Sequence, residues 1–200
     1  MLLLLIAVGA GLGAAPQSTN DNLWARASEY GRTEGPIITP DVRVELTVDE
    51  IGQPVHCNLL KSSEPKGFDS RFCVVPMRRA HFRPARDEAG RPITGVFSTN
   101  FLYKNDQHGH GPVWTDYTLT VGALPAARQL VTVARVVTDA GGRVETCAVE
   151  TSSGDARLDE AACRYTRASL SLAAPYDRDG RAVRAMRLVS IGFTTEGGAS

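Results

Sequence analysis

One cysteine spacing occurs twice in this chain. Cys57 and Cys73 stand 16 residues apart, as do Cys147 and Cys163, and 90 residues separate the first pair from the second. Intervening residues agree at that same offset: Ser62-Ser63 with Ser152-Ser153, Asp69 with Asp159, and Gly90-Arg91 with Gly180-Arg181. A repeat at fixed period decides architecture before any local propensity does. It predicts a duplicated module whose cysteines pair within each copy, Cys57–Cys73 and Cys147–Cys163. Two copies in 200 residues make small domains with modest cores. A covalent staple is useful at that size, because closing a loop of about 15 residues contributes roughly 3 kcal/mol in the chain-entropy model.

Each copy reads as strand–strand–helix–strand, an α+β module with a small antiparallel sheet, one packed helix and one internal disulfide. In copy one, residues 42–103, Val42, Val44, Leu46 and Val48 alternate with polar residues, as a half-buried strand does. A turn at Gly52 leads to a second strand with Val55, Cys57 and Leu59 on one face. A helix is expected from about Phe68, with Pro76 kinking or ending it early. Ile93 to Tyr103 makes the third strand.

Copy two, residues 130–195, repeats this order. Val131, Val133 and Val137 lie on its first strand and Cys147 and Val149 on its second. Leu158, Ala161, Ala162 and Tyr165 form the helix stripe, with Cys163 on the flank of that stripe. Val183 to Phe193 is the third strand. The first strands align best at a spacing of 89 and everything from the cysteines onward at 90. That difference predicts one residue gained or lost near the second strand, as a bulge. Residues 16–41 and 104–129 read as linkers, the latter with Trp114, Tyr117 and Leu119 packing locally.

Residues 1–15 resemble a secretory signal: Leu2 to Val8 is an apolar run, followed by small residues to Ala15. The run is too short to span a bilayer, which takes about 20 apolar residues. No Lys or Arg precedes it, and Pro16 makes Ala15 a poor cleavage position, so cleavage after Gly13 or retention as a weak anchor are the alternatives. Export would place four cysteines in an oxidising compartment, where two equal pairs read as two disulfides. Charge is balanced, 22 basic against 22 acidic residues, which argues against nucleic acid or an anionic membrane as partner.

Copy two carries Gly142-Arg143-Val144 through Cys147, Ser152-Ser153-Gly154, Leu158-Asp159, Cys163, Pro175 and Asp179-Gly180-Arg181. As a set these residues resemble the C-terminal domain of TonB-family proteins. Copy one resembles it more distantly, through Ser62-Ser63, Asp69, Cys73, Phe82-Arg83-Pro84-Ala85 and Gly90-Arg91-Pro92; Glu64 replaces the loop glycine and Pro76 interrupts the helix. The resemblance implies a small periplasmic α+β domain that binds extended peptide segments of envelope or outer-membrane transport proteins by strand addition. It makes the third strands the candidate edges, with Val96, Phe97, Phe101 and Tyr103 in copy one and Met186, Leu188, Val189, Ile191 and Phe193 in copy two. A long spacer and a membrane helix are absent from the reading, so force transmission is not expected. The alternative is a structural or self-associating envelope domain whose copies pack on each other or form a homodimer.

Catalysis is not expected. No Gly-x-Ser-x-Gly surrounds any serine, and no phosphate or dinucleotide fingerprint follows a strand. His108-Gly109-His110 lacks the further ligands a metal site needs. No metal, small-molecule cofactor or nucleic acid is therefore expected. Asp159 and Asp69 read as acceptors for free backbone N–H groups at helix starts.

Overall fold

Alternating apolar residues make the first long strand. Val42, Val44, Leu46 and Val48 are fully buried, and they share strand β2 (Asp41–Val48). The computed structural model describes residues 13–20, 41–61, 69–102, 115–125 and 130–195. Within them the chain runs β1 (Gln17–Ser18), β2, β3 (Pro54–Lys61), α1 (Asp69–Arg79), β4 (Phe82–Arg83), β5 (Ala85–Arg86), β6 (Pro92–Ile93), β7 (Gly95–Leu102) and β8 (Tyr117–Val121). It continues through β9 (Val131–Thr138), β10 (Val144–Thr151), α2 (Ala156–Ser169) and β11 (Ala185–Thr195). The fold is α+β, mostly strand, with two helices and two disulfides.

The order strand–strand–helix–strand occurs in each half, as β2-β3-α1-β7 and as β9-β10-α2-β11. The spacing is 90 throughout, with β2 starting at Asp41 and β9 at Val131. This corrects the 89-residue alignment of the first strands. The face of β9 that packs on α2 carries Thr132, Ala134, Val136 and Thr138, not Val131 and Val133. A bulge does lie near the start of each second strand, but both halves have it: the ladder skips Val55 in one and Glu145 in the other. No residue was gained or lost there.

Both disulfides form as expected, each tying a second strand to a helix with Cα atoms 5.6 Å apart. The stripe on α2 is rotated from the expected one. Its buried residues are Leu158, Asp159, Ala162, Cys163 and Thr166; at about 100° per residue Thr166 falls at the middle and Cys163 on one flank, as expected. Two polar residues hid the stripe: the Thr166 hydroxyl donates to Ala162 O within its own helix, and Asp159 is satisfied by the strand and loop beside it. On α1, Pro76 neither ends nor shortens the helix, which runs another turn's worth to Arg79. Pro76 is itself fully buried, and so is Phe72. That burial, with the Cys73 staple, offsets the lost helical hydrogen bond.

The halves do not keep separate sheets. One sheet of seven strands runs β10-β9-β11-β7-β2-β3, with β8 added parallel to the far end of β11. The seam is a parallel pairing of the two third strands, Met186 beside Gly95 and Arg187 beside Val96. Paired residues share a face, so the register can be followed across the seam. Ala134 and Val136, under α2, pair with Val189 and Arg187; Arg187 pairs with Val96, and Val96 with Thr47. Leu46 and Val48, under α1, lie on the opposite face. The two helices therefore pack on opposite faces of one sheet.

That arrangement dictates the seam's register. Gly95 matches Ala185 at the common offset, yet it pairs with Met186. A one-residue slip flips a strand's faces, and the slip is what aligns faces between halves whose helices lie on opposite sides. Each half also sends its post-helix segment over the other's bare sheet face. Ala85 and Ile93 pack with Val137 and Met186, while Ala173, Ala174 and Pro175 lie over Thr47 and Val96.

Candidate functional site

The third strands were expected as free edges; β11 is paired on both sides, and β7 is so at its start. β7 pairs with β2 along its whole length and with β11 at Gly95 and Val96. β11 pairs with β9 from Ala185 to Gly192 on one side, and with β7 and then β8 on the other. Val96, Met186, Val189 and Ile191 are buried; Phe97 and Phe193 pack half-buried on the first and second cores, and Leu188 is exposed. Phe101 pairs with Val42 in the ladder. Tyr103 lies outside the described residues. The physical reason is size: a sheet this small has a bare face and an open edge, and joining the halves closes both at once.

The joining strand β8 comes from the region read as a linker. Its Tyr117 and Leu119 pack against the second core, not merely with each other. Just before it, Asp116 accepts from Ser190 N at 2.6 Å and pairs with Arg43 of β2. Trp114, His108 and His110 lie outside the described residues.

An ion pair crosses the seam. Arg187 is 2 % exposed; its Nη1 lies 3.2 Å from Glu45 Oε1 and its Nη2 donates to Ala173 O at 2.7 Å. Burial pushes the Arg187 pKa down, and the Glu45 carboxylate opposes that shift. Burial and the same carboxylate push the Tyr117 phenol up. Sequence reading missed this pair because Arg187 occupies the position that Phe97 fills in the first half. A charged residue interrupting a buried third strand is the signal that marks it.

Among the described strands, the two outermost of the path, β3 and β10, each pair on one side, as does β8. Neither β3 nor β10 has a fully buried residue, and the last three residues of each are exposed. Leu59 and Val149 match at the common offset and are each 37 % exposed. Between the halves lies a cleft of about 410 Å³ lined in part by Arg91, Arg135, Arg184 and Asp87. Its arginines are already committed: Arg135 to Glu150, Arg184 to Glu145 and Arg91 to Asp87. Such a lining leaves no free charge for an anionic ligand.

Asp159 does not cap the first turn of α2; Asp155 does that, accepting from Arg157 N at 2.8 Å. Asp159 instead accepts from Thr132 Oγ1 at 2.6 Å, Ser153 N and Oγ at 2.9 Å, and Ser152 Oγ. Burial pushes its pKa up, but the hydrogen bonds from Ser152, Thr132 and Ser153 outweigh that and hold it below the usual carboxylate value. The carboxylate pins helix, loop and sheet together. The Asp69 side chain lies outside the described residues.

Two disulfides in the fold place the chain in an oxidising, extracytoplasmic compartment. Among the described residues no helix is long and apolar enough to cross a membrane, and no group of three or more His, Cys, Asp or Glu side chains is placed to hold a metal ion. In comparisons with known proteins, no family model, no curated protein and no solved structure matches this chain.

Proposed function

We propose that the chain is a periplasmic protein-binding module, built from two copies of a TonB C-terminal-like domain, that takes extended peptide segments of envelope or outer-membrane transport proteins by strand addition. It does so without catalysis, metal or cofactor and without transmitting force. The observation that carries this reading is that the fold already accepts added strands from its own chain. β8 joins β11 in parallel, and β1 joins β4 antiparallel. Partner segments add at the outer edges of β3 and β10, since β11 is paired on both sides and the start of β7 is taken by the seam.

The seam favours a second reading. Third strands that pair with each other fit a structural envelope domain with no peptide partner. One experiment separates the two. The oxidised protein from Gly13 onward serves as bait for envelope proteins, with amide exchange of β3 and β10 followed on the captured complex. Enrichment of outer-membrane transporters with slowed exchange in either strand supports peptide binding. A blank from folded protein, or capture that slows exchange in no segment of the chain, sinks it in favour of the structural reading.

A further inference from the structure

Residues 13–20 lie antiparallel along the outer side of residues 79–86, and they occupy its outward backbone groups in turn. Ala14 and Arg86 exchange both bonds, Ala14 N to Arg86 O at 2.9 Å and Arg86 N to Ala14 O at 2.8 Å. Gln17 stands opposite Arg83 and Ser18 opposite Phe82. Thr19 N donates to His81 O at 2.8 Å. The Asn20 amide closes the row: Nδ2 donates to Arg79 O at 2.7 Å and Oδ1 accepts from His81 N at 2.8 Å. Gly13 must be glycine here, because a Cβ would lie 2.1 Å from Arg86 O.

The second half follows the same backbone course 90 residues later. Leu172 N donates to Gly142 O at 2.9 Å, as Phe82 N does to Gly52 O at 3.0 Å. Asp177 N donates to Arg181 O, as Asp87 N does to Arg91 O. α2 ends at Ser169, where α1 ends at Arg79. Buried and exposed residues alternate identically over 81–86 and 171–176. Among the described residues, however, no segment lies along the outer side of 171–176.

We propose that this vacant track, Ser169 to Tyr176, is a peptide slot that takes an extended segment of another protein as 79–86 takes residues 13–20. The inference rests on the strand-addition reading above and places one of its sites. The occupant's chemistry follows from the filled track: a glycine against Tyr176 O, and seven residues later an Asn that spans Ser169 O and Ser171 N. Ala173 O already accepts from Arg187 Nη2, but a carbonyl has a second lone pair for the incoming strand.

One difference excludes a second copy of this chain as the occupant. Pro16 ring atoms lie 2.8 Å from where a Cβ on Gly95 would sit. The matching position in the second half is Ala185, fully buried and carrying that Cβ. A proline at the matching peptide position clashes there, so the slot takes a small non-proline residue and rejects the chain's own N-terminal sequence.

The full oxidised protein is titrated with three synthetic octapeptides while backbone amides are followed by NMR and hydrogen exchange. The first is Gly-Ala-Ala-Gly-Gln-Ser-Thr-Asn, the second has Pro at the fourth place, and the third has Ala at the last. The first peptide is expected to protect the Ser171 and Tyr176 amides. The Ala-ended peptide should bind about tenfold more weakly, having lost two hydrogen bonds, and the proline peptide should not bind. Ser171→Pro, which removes one donor from an exposed position, should weaken the first peptide similarly while thermal unfolding stays unchanged. Ser171 amide protection before any peptide is added, equal affinity for all three peptides, or shifts confined to β3 and β10 would each overturn the slot. Envelope capture that persists with the slot silent leaves the general function standing, whereas peptide protection at Ser171 with a blank capture removes that function and keeps the slot.

Discussion

Asp159 concentrates more hydrogen bonding than any other carboxylate described here, joining Thr132 on the sheet to Ser152 and Ser153 in the loop. Replacing it with Asn leaves hydroxyl donors facing an amide, and Asp159→Asn should cost about 2 kcal/mol at pH 7 by urea unfolding. Its folded pKa is lowered, so the stability it contributes is present above the unfolded value, about 3.9, and is lost as pH falls through the folded one. The wild type should therefore lose stability below about pH 4, and Asp159→Asn should flatten that acid slope. Equal slopes in the two proteins would contradict the assignment. Gly142 is a second single-residue test. It sits at φ +82°, and a Cβ there would fall 1.9 Å from Leu172 O. Gly142→Ala should destabilise by at least about 1 kcal/mol, read as a lower urea midpoint at unchanged slope.

At the scale of elements, the second disulfide holds β10 to the flank of the α2 stripe. The double variant Cys147→Ser with Cys163→Ser should lose about 3 kcal/mol, since it frees a loop of the length for which the chain-entropy model gives that figure. Val189, which the sequence places on an open edge, lies 2 % exposed between β9 and α2. Val189→Pro should abolish cooperative unfolding, as a proline within an interior strand does, in place of merely blocking a partner. Elements with strong local patterns were legible: the alternation of Val42 to Val48, the turn glycines and the cysteine offset all appear where expected. What local pattern does not carry is the side of the sheet a helix will take. The β9 face was misassigned because Thr132 and Thr138 are buried through hydrogen bonds, not apolar burial. β8 was missed because a five-residue strand that pairs in parallel with a strand some 70 residues later leaves no periodic mark in its own segment. The candidate site suffered most, since edge or interior is decided by which strand lies alongside.

For the whole molecule, the seam makes the halves one folding unit. Glu45→Gln strips the counter-charge from an arginine that is nearly sealed from water, and should cost about 3 kcal/mol. Calorimetry should show a single transition for the wild type and a single, lower one for the variant. Two separated transitions would mean that the halves unfold independently. The order β10-β9-β11-β7-β2-β3 also sets a length. Five inter-strand steps of about 4.8 Å hold the two outer strands roughly 24 Å apart, facing away from each other. No single short segment can lie on both. If both ends take partners as proposed, whatever docks on one is kept at arm's length from whatever docks on the other.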